Sequence, residues 1–79
     1  MPVLPADEDY AMSVLSVFRL ARVGPRQSLA ARRVEDEFLV HNLGRRADYQ
    51  AGLEFAVNRK WLKLELNTIR LTEEGFDEQ

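Results

Sequence analysis

The sequence predicts an α+β fold, mainly α: three helices, a two-stranded C-terminal β-hairpin and a short final helical turn. Three observations carry this. Apolar residues alternate with polar ones over residues 61–71, the period of a strand, and the alternation is interrupted once. Upstream, apolar residues recur at helical spacing in three stretches separated by Gly, Pro and Asn. The chain has 79 residues and 46% hydrophobic content, enough for one core in one domain.

The elements follow in order. Pro2 and Pro5 make residues 1–8 an extended lead-in, and residues 9–79 form the domain. Helix 1 is expected over residues 9–22. Its polar residues, Ser13, Ser16, Arg19 and Arg22, stand three apart and nearly everything else is apolar. Such a helix is buried on more than one side, one against its own domain and the other free for a second copy. Val23-Gly24-Pro25 ends it. Helix 2 is expected over residues 28–41, capped by Ser28, with Ala30, Val34 and Phe38 inward and Arg32, Arg33, Glu35, Asp36 and Glu37 covering the rest. Asn42-Leu43-Gly44 is the turn. Helix 3 is expected to start on Asp48 as N-cap and to bury Tyr49, Gly52, Leu53, Ala56 and Val57. Gly52 costs a helix about 1 kcal/mol against Ala, which implies close approach of another helix.

In the hairpin, Leu62 and Leu64 alternate with Lys63, and Ile69 and Leu71 with Arg70. Both apolar sets reach one core only if the loop holds an even number of residues. Two residues, Leu66-Asn67, would force a left-handed backbone on Leu66. Four, from Glu65 to Thr68, leave that conformation to Asn67 and are favoured. Leu64 then faces Ile69 and Leu62 faces Leu71 on the buried side, with Lys63 opposite Arg70 outside. Opposed like charges destabilise a sheet, so these two either splay into water or share a phosphate. Thr72 caps the last turn, Glu73 and Glu74 sit at its positive end, and Gly75 closes it in the left-handed conformation.

The run Tyr49-Gln50-Ala51-Gly52-Leu53-Glu54-Phe55-Ala56-Val57-Asn58-Arg59-Lys60-Trp61-Leu62 resembles the recognition helix and first wing strand of winged helix-turn-helix regulators. Ile69-Arg70-Leu71-Thr72-Glu73-Glu74-Gly75-Phe76 is similar to the Leu-Thr-x-x-Gly ending that closes many wings. The likeness covers residues 45–76, and the first half matches by helix count. Two departures stand out: Trp61 occupies a position often held by Gly, and apolar Leu66 tips the wing where a basic residue is common. The resemblance implies that double-stranded DNA is the partner. Arg45 and Arg46 would meet phosphates ahead of helix 3. Gln50, Ala51 and Glu54 would face the major groove, and Arg59, Lys60, Lys63 and Arg70 would hold the flanking backbone. The small first strand of such a fold would come from Arg26-Gln27, absent or reduced to one bridge.

Net charge is −2, but unevenly spread. Residues 10–63 hold ten of the eleven Lys and Arg and five of the thirteen acids, while residues 1–9 and 64–79 are acidic. A basic face can lie under such a balance. There is no cysteine, no apolar run of membrane-spanning length and no basic-apolar leader, so the expected location is cytoplasmic. No enzyme, cofactor or metal is expected. His41 has no nucleophile to activate, and Glu35-Asp36-Glu37 point apart on a helix. The expected function is a small DNA-binding transcriptional regulator, homodimeric through helix 1. The alternative is a winged-helix protein-interaction module, signalled by an exposed patch around Phe55 and Trp61 with no basic patch beside helix 3.

Overall fold

The computed structural model describes residues 7–42 and 45–79. The Pro2 to Pro5 lead-in, the Leu43-Gly44 turn and the His41 side chain lie outside the described residues. The chain runs α1 (Asp7–Leu20), β1 (Ser28–Ala30), α2 (Ala31–Asn42), α3 (Arg46–Asn58), β2 (Leu62–Leu64), β3 (Thr68–Leu71) and α4 (Glu73–Glu78). The strands form one antiparallel sheet in the order β1-β3-β2. The α+β, mainly α expectation holds. The three helices and the short final helical turn are present as α1 to α4, while the strand count differs: the described residues hold three strands where two were expected.

α1 begins on Asp7, inside the expected lead-in, with Asp7, Glu8 and Asp9 at its positive end. It does not end through Gly24. The Val23 N–H reaches the Phe18 carbonyl and the Arg22 N–H the Arg19 carbonyl, 3.0 Å each. That is a Schellman ending, with Arg22 left-handed at φ 57° and Val23 folded into the core. α3 ends in the same way. The Trp61 and Lys60 N–H groups reach the Ala56 and Val57 carbonyls, Lys60 is left-handed at φ 64°, and Trp61 is buried.

The segment expected to open helix 2 is a strand. Ser28, Leu29 and Ala30 pair with Arg70, Ile69 and Thr68. Arg26 and Gln27 lead into it as a bulge, both bonded to Leu71. Ala30 is therefore exposed on the sheet and not on an inner helical stripe, while Val34 and Phe38 are fully buried as expected. α3 likewise starts earlier than expected. Arg45 is its N-cap, and Asp48 sits three residues in, accepting the Arg45 N–H at 3.2 Å.

The core gathers Phe18, Leu15 and Val14 of α1, Val34 and Phe38 of α2, Tyr49 and Ala56 of α3, and Leu62, Ile69 and Leu71 of the sheet. α1 and α3 make the most extensive contact between elements. Gly52 permits it: a Cβ there would lie 2.6 Å from the Tyr10 carbonyl carbon. Most of α1's apolar surface is used within the chain, leaving Leu20 as its exposed large apolar residue.

The hairpin register is the expected one, Leu62 on Leu71, Lys63 on Arg70 and Leu64 on Ile69. The Glu65 N–H closes the loop on the Thr68 carbonyl at 2.9 Å. Neither Leu66 nor Asn67 is left-handed, so the expectation for Asn67 fails. Leu64 also departs from its expected burial. It lies on the inner face but is 54% exposed, because the core beneath the sheet reaches Leu62 and Ile69 and not the wing end of β2. Thr72 caps α4, accepting the Gly75 N–H at 3.0 Å. Gly75 is not a left-handed terminus. It lies inside α4, buried against the Trp61 carbonyl.

Candidate nucleic-acid interface

α3 presents two faces. Tyr49, Gly52 and Ala56 are buried, Leu53 and Val57 half-buried, and Gln50, Glu54 and Asn58 stand in solvent. Ala51, expected to face outward with Gln50, is half-buried. Gln50, Glu54 and Asn58 share a groove with Leu53, Val57 and Leu64, so α3 and β2 together bound it. The solvent face thus carries an amide, a carboxylate and a second amide one turn apart, the group types that read base edges.

The cations expected around this face divide into two sets. Arg46 Nε lies 3.2 Å from Glu35 Oε1. Arg70 is occupied: its Nε and Nη2 each approach Glu65 Oε1 at 3.1 Å, and Nη1 donates to the Arg26 carbonyl. Lys63 does stand opposite Arg70, and Glu65 supplies the negative charge for that face from within the chain. Arg59 rests 5.2 Å over the Phe55 ring. Arg45, Lys60 and Lys63 are exposed and form no ion pair among the described residues. Arg45 and Lys60 flank a helix of 13 residues, roughly 20 Å long.

Two cations were missed by sequence reasoning. Starting helix 2 at Ser28 put Arg32 and Arg33 in its second turn as outer cover. Because α2 begins at Ala31, both stand exposed in its first turn. Arg32 shares a groove with Glu35, Tyr49, Gln50 and Leu64. The signal that could have found them is electrostatic. α1 and α4 open on acids, as a helix dipole favours, whereas α2 has no acid in its first turn and carries this arginine pair. α3 opens the same way on Arg45 and Arg46, with Asp48 its first acid.

Tyr49 marks the boundary between this face and the core. Burial, and then the Glu35 carboxylate, push its phenol up to about 12. Its ring meets Phe38 at 5.5 Å in a tilted contact, tying α3 to α2. Trp61 and Phe55 meet at 5.8 Å, and Trp61 is buried, so the exposed aromatic patch that would favour a protein partner is absent there.

No family model, no curated protein and no solved structure matches the chain. Among the described residues, no helix is long and apolar enough to cross a membrane.

Proposed function

We propose that this chain is a winged helix-turn-helix module that binds double-stranded DNA and serves as a small transcriptional regulator. One observation carries the reading: α2 and α3 both open on exposed arginine pairs, where helix electrostatics favour acids, and the outer face of α3 between them is polar. Cations at the positive ends of helices cost each helix a few tenths of a kcal/mol, and phosphates reverse that sign. The element order and the strand order β1-β3-β2 agree with a winged helix, in which α3 would enter the major groove and the β2-β3 hairpin would be the wing. A groove about 12 Å wide would let a helix of this length hold cations near both of its phosphate walls. Glu54 repels phosphate, so one copy binds modestly. Two copies on adjacent half-sites would gain by avidity. A dimer formed in solution through α1 would have to rest largely on Leu20.

Fluorescence anisotropy with random duplexes at low salt tests this. Micromolar or tighter affinity that weakens steeply with salt is expected, and joint replacement of Arg32, Arg33 and Arg45 by Ala should abolish it at moderate salt. Absence of duplex affinity at low salt, or indifference to that triple replacement, overturns the reading.

A further inference from the structure

Among the described residues no strand pairs with the outer edge of β2, and what borders that edge specifies an occupant. In an antiparallel ladder, backbone groups alternate between the two sides of a strand. Glu65 bonds Thr68 and Trp61 bonds Thr72, so by alternation Lys63 is bonded toward β3. The N–H and C=O groups of Leu62 and Leu64 therefore point away from the sheet. Such an edge is normally blunted by brevity, charged side chains, proline, twist or cover, and β2 uses the first two, being three residues long with Lys63 at its centre. Here the edge faces α3 across a groove whose apolar floor is Leu53, Val57 and the 54%-exposed side chain of Leu64. A second hollow along the same strand adds Lys60, Lys63 and Glu74.

From this geometry we infer that the β2 edge accepts an extended peptide segment of a partner protein as a fourth strand, one that alternates apolar and acidic residues. Backbone bonds to Leu62 and Leu64 fix such a strand, and the pleat then decides its side chains. Residues paired with Leu62 and Leu64 turn toward the α3 side and cover the apolar floor. The residue paired with Lys63 turns to the outer face, where Lys63 forms no ion pair among the described residues, and a carboxylate opposite it is favoured. The opposing acids, Glu54 on α3 and Glu74 on α4, border the groove from other elements and do not lie across from Lys63 in the strand. A second copy fits less well. The self-pairing that uses the whole strand sets Leu62 on the second copy's Leu64, and it places Lys63 directly against itself.

The test uses the whole chain and a soluble peptide of seven alternating Val and Glu residues, with an alternating Val and Lys peptide as the control. Two-dimensional NMR should show binding at a dissociation constant of about 100 µM, in the range of weak transient contacts. The Leu62 and Leu64 amides should shift and gain protection from exchange. Lys63→Glu should weaken the acidic peptide and strengthen the basic one, each by roughly threefold to tenfold. Leu64 is half in solvent, so Leu64→Asp should leave the fold intact while removing binding of both peptides. No binding up to millimolar peptide overturns the inference, as do shifts that spare Leu62 and Leu64. It is also overturned if those amides gain protection with protein concentration alone, which would assign the edge to a second copy, or if they respond to duplex DNA and to neither peptide. The inference does not depend on the DNA reading: the arginine replacements that test that reading change no residue of β2, and peptide binding is measured without duplex.

Discussion

Gly75 is held by a neighbour and not by its own backbone angle. A Cβ there would run into the Trp61 carbonyl oxygen, and that oxygen is fixed. It accepts the Thr72 N–H at 3.1 Å and shares the single Thr72 hydroxyl proton with the Lys60 carbonyl, at 2.8 Å and 2.6 Å respectively, so it has little room to retreat. Gly75→Ala is therefore expected to destabilise the chain by about 2–3 kcal/mol, despite Ala's better helix propensity. Urea unfolding would read this as a lower midpoint, and an unchanged midpoint would show that α4 does not dock as described. Tyr49 supplies a prediction in pH. Its phenol is raised from 10.0 to about 12, so the native state holds the proton more tightly than the unfolded chain. The stability this confers is complete below pH 10 and is lost as pH rises from 10 toward 12, no more than about 3 kcal/mol in all. Unfolding measured from pH 9 to 12 should show the native chain losing stability relative to Tyr49→Phe across that window. Parallel curves would mean that the phenol ionises equally well in both states.

The helices are closed by residues that the sequence does not advertise. Arg22 and Lys60 take the left-handed position at the ends of α1 and α3, where glycine is the usual choice. The buried residues that follow them, Val23 and Trp61, hold the chain in that turn, so core burial outweighs local backbone preference. Arg22→Gly should release the local cost and stabilise the chain by about 0.5–1 kcal/mol, visible as a higher urea midpoint. The same competition explains what could be read in advance. The hairpin register was legible because Leu62, Leu64, Ile69 and Leu71 alternate, and a slip by one residue would turn one strand's apolar pair away from the other's. The depth of the core was not legible: alternation assigns Leu64 a face without saying whether a helix lies beneath it. β1 was hidden because Ser28-Leu29-Ala30 is too short to show a period, and Ser28 is a good cap in its own right. That misreading moved the start of α2 and concealed Arg32 and Arg33. Asp48 misled in a related way. It does satisfy a backbone N–H at the head of α3, but from inside the first turn, and this put Arg45 and Arg46 outside a helix they in fact begin.

Charge organises the whole molecule more than its net value of −2 suggests. Acids open α1 and α4, and most of the cations that form no ion pair among the described residues lie on α2, at the two ends of α3 and on β2. Arg26 is an exception, paired at 2.9 Å with Glu73 of α4 and so removed from any basic face. Among the cations beside α3, Arg46 and Arg70 already have carboxylate partners, whereas Arg32, Arg33, Arg45, Lys60 and Lys63 form no ion pair among the described residues. If the proposed duplex contact engages those five, the logarithm of affinity should fall against the logarithm of salt with a slope of about −4.5. Arg45→Ala should then reduce the slope by about 1 and weaken all sequences alike, since a phosphate contact carries no base information. Arg70→Ala should leave the slope nearly unchanged, because Glu65 already neutralises it, while loosening the hairpin that both residues brace. Glu54→Gln should strengthen binding to random duplex, as one repulsive charge leaves the groove-facing side of α3. Titrations of these three variants between 50 and 200 mM salt would separate phosphate contacts from charges spent inside the fold. A common slope for Arg45→Ala and Arg70→Ala would mean that the ion pairs drawn within the chain do not decide which cations meet DNA.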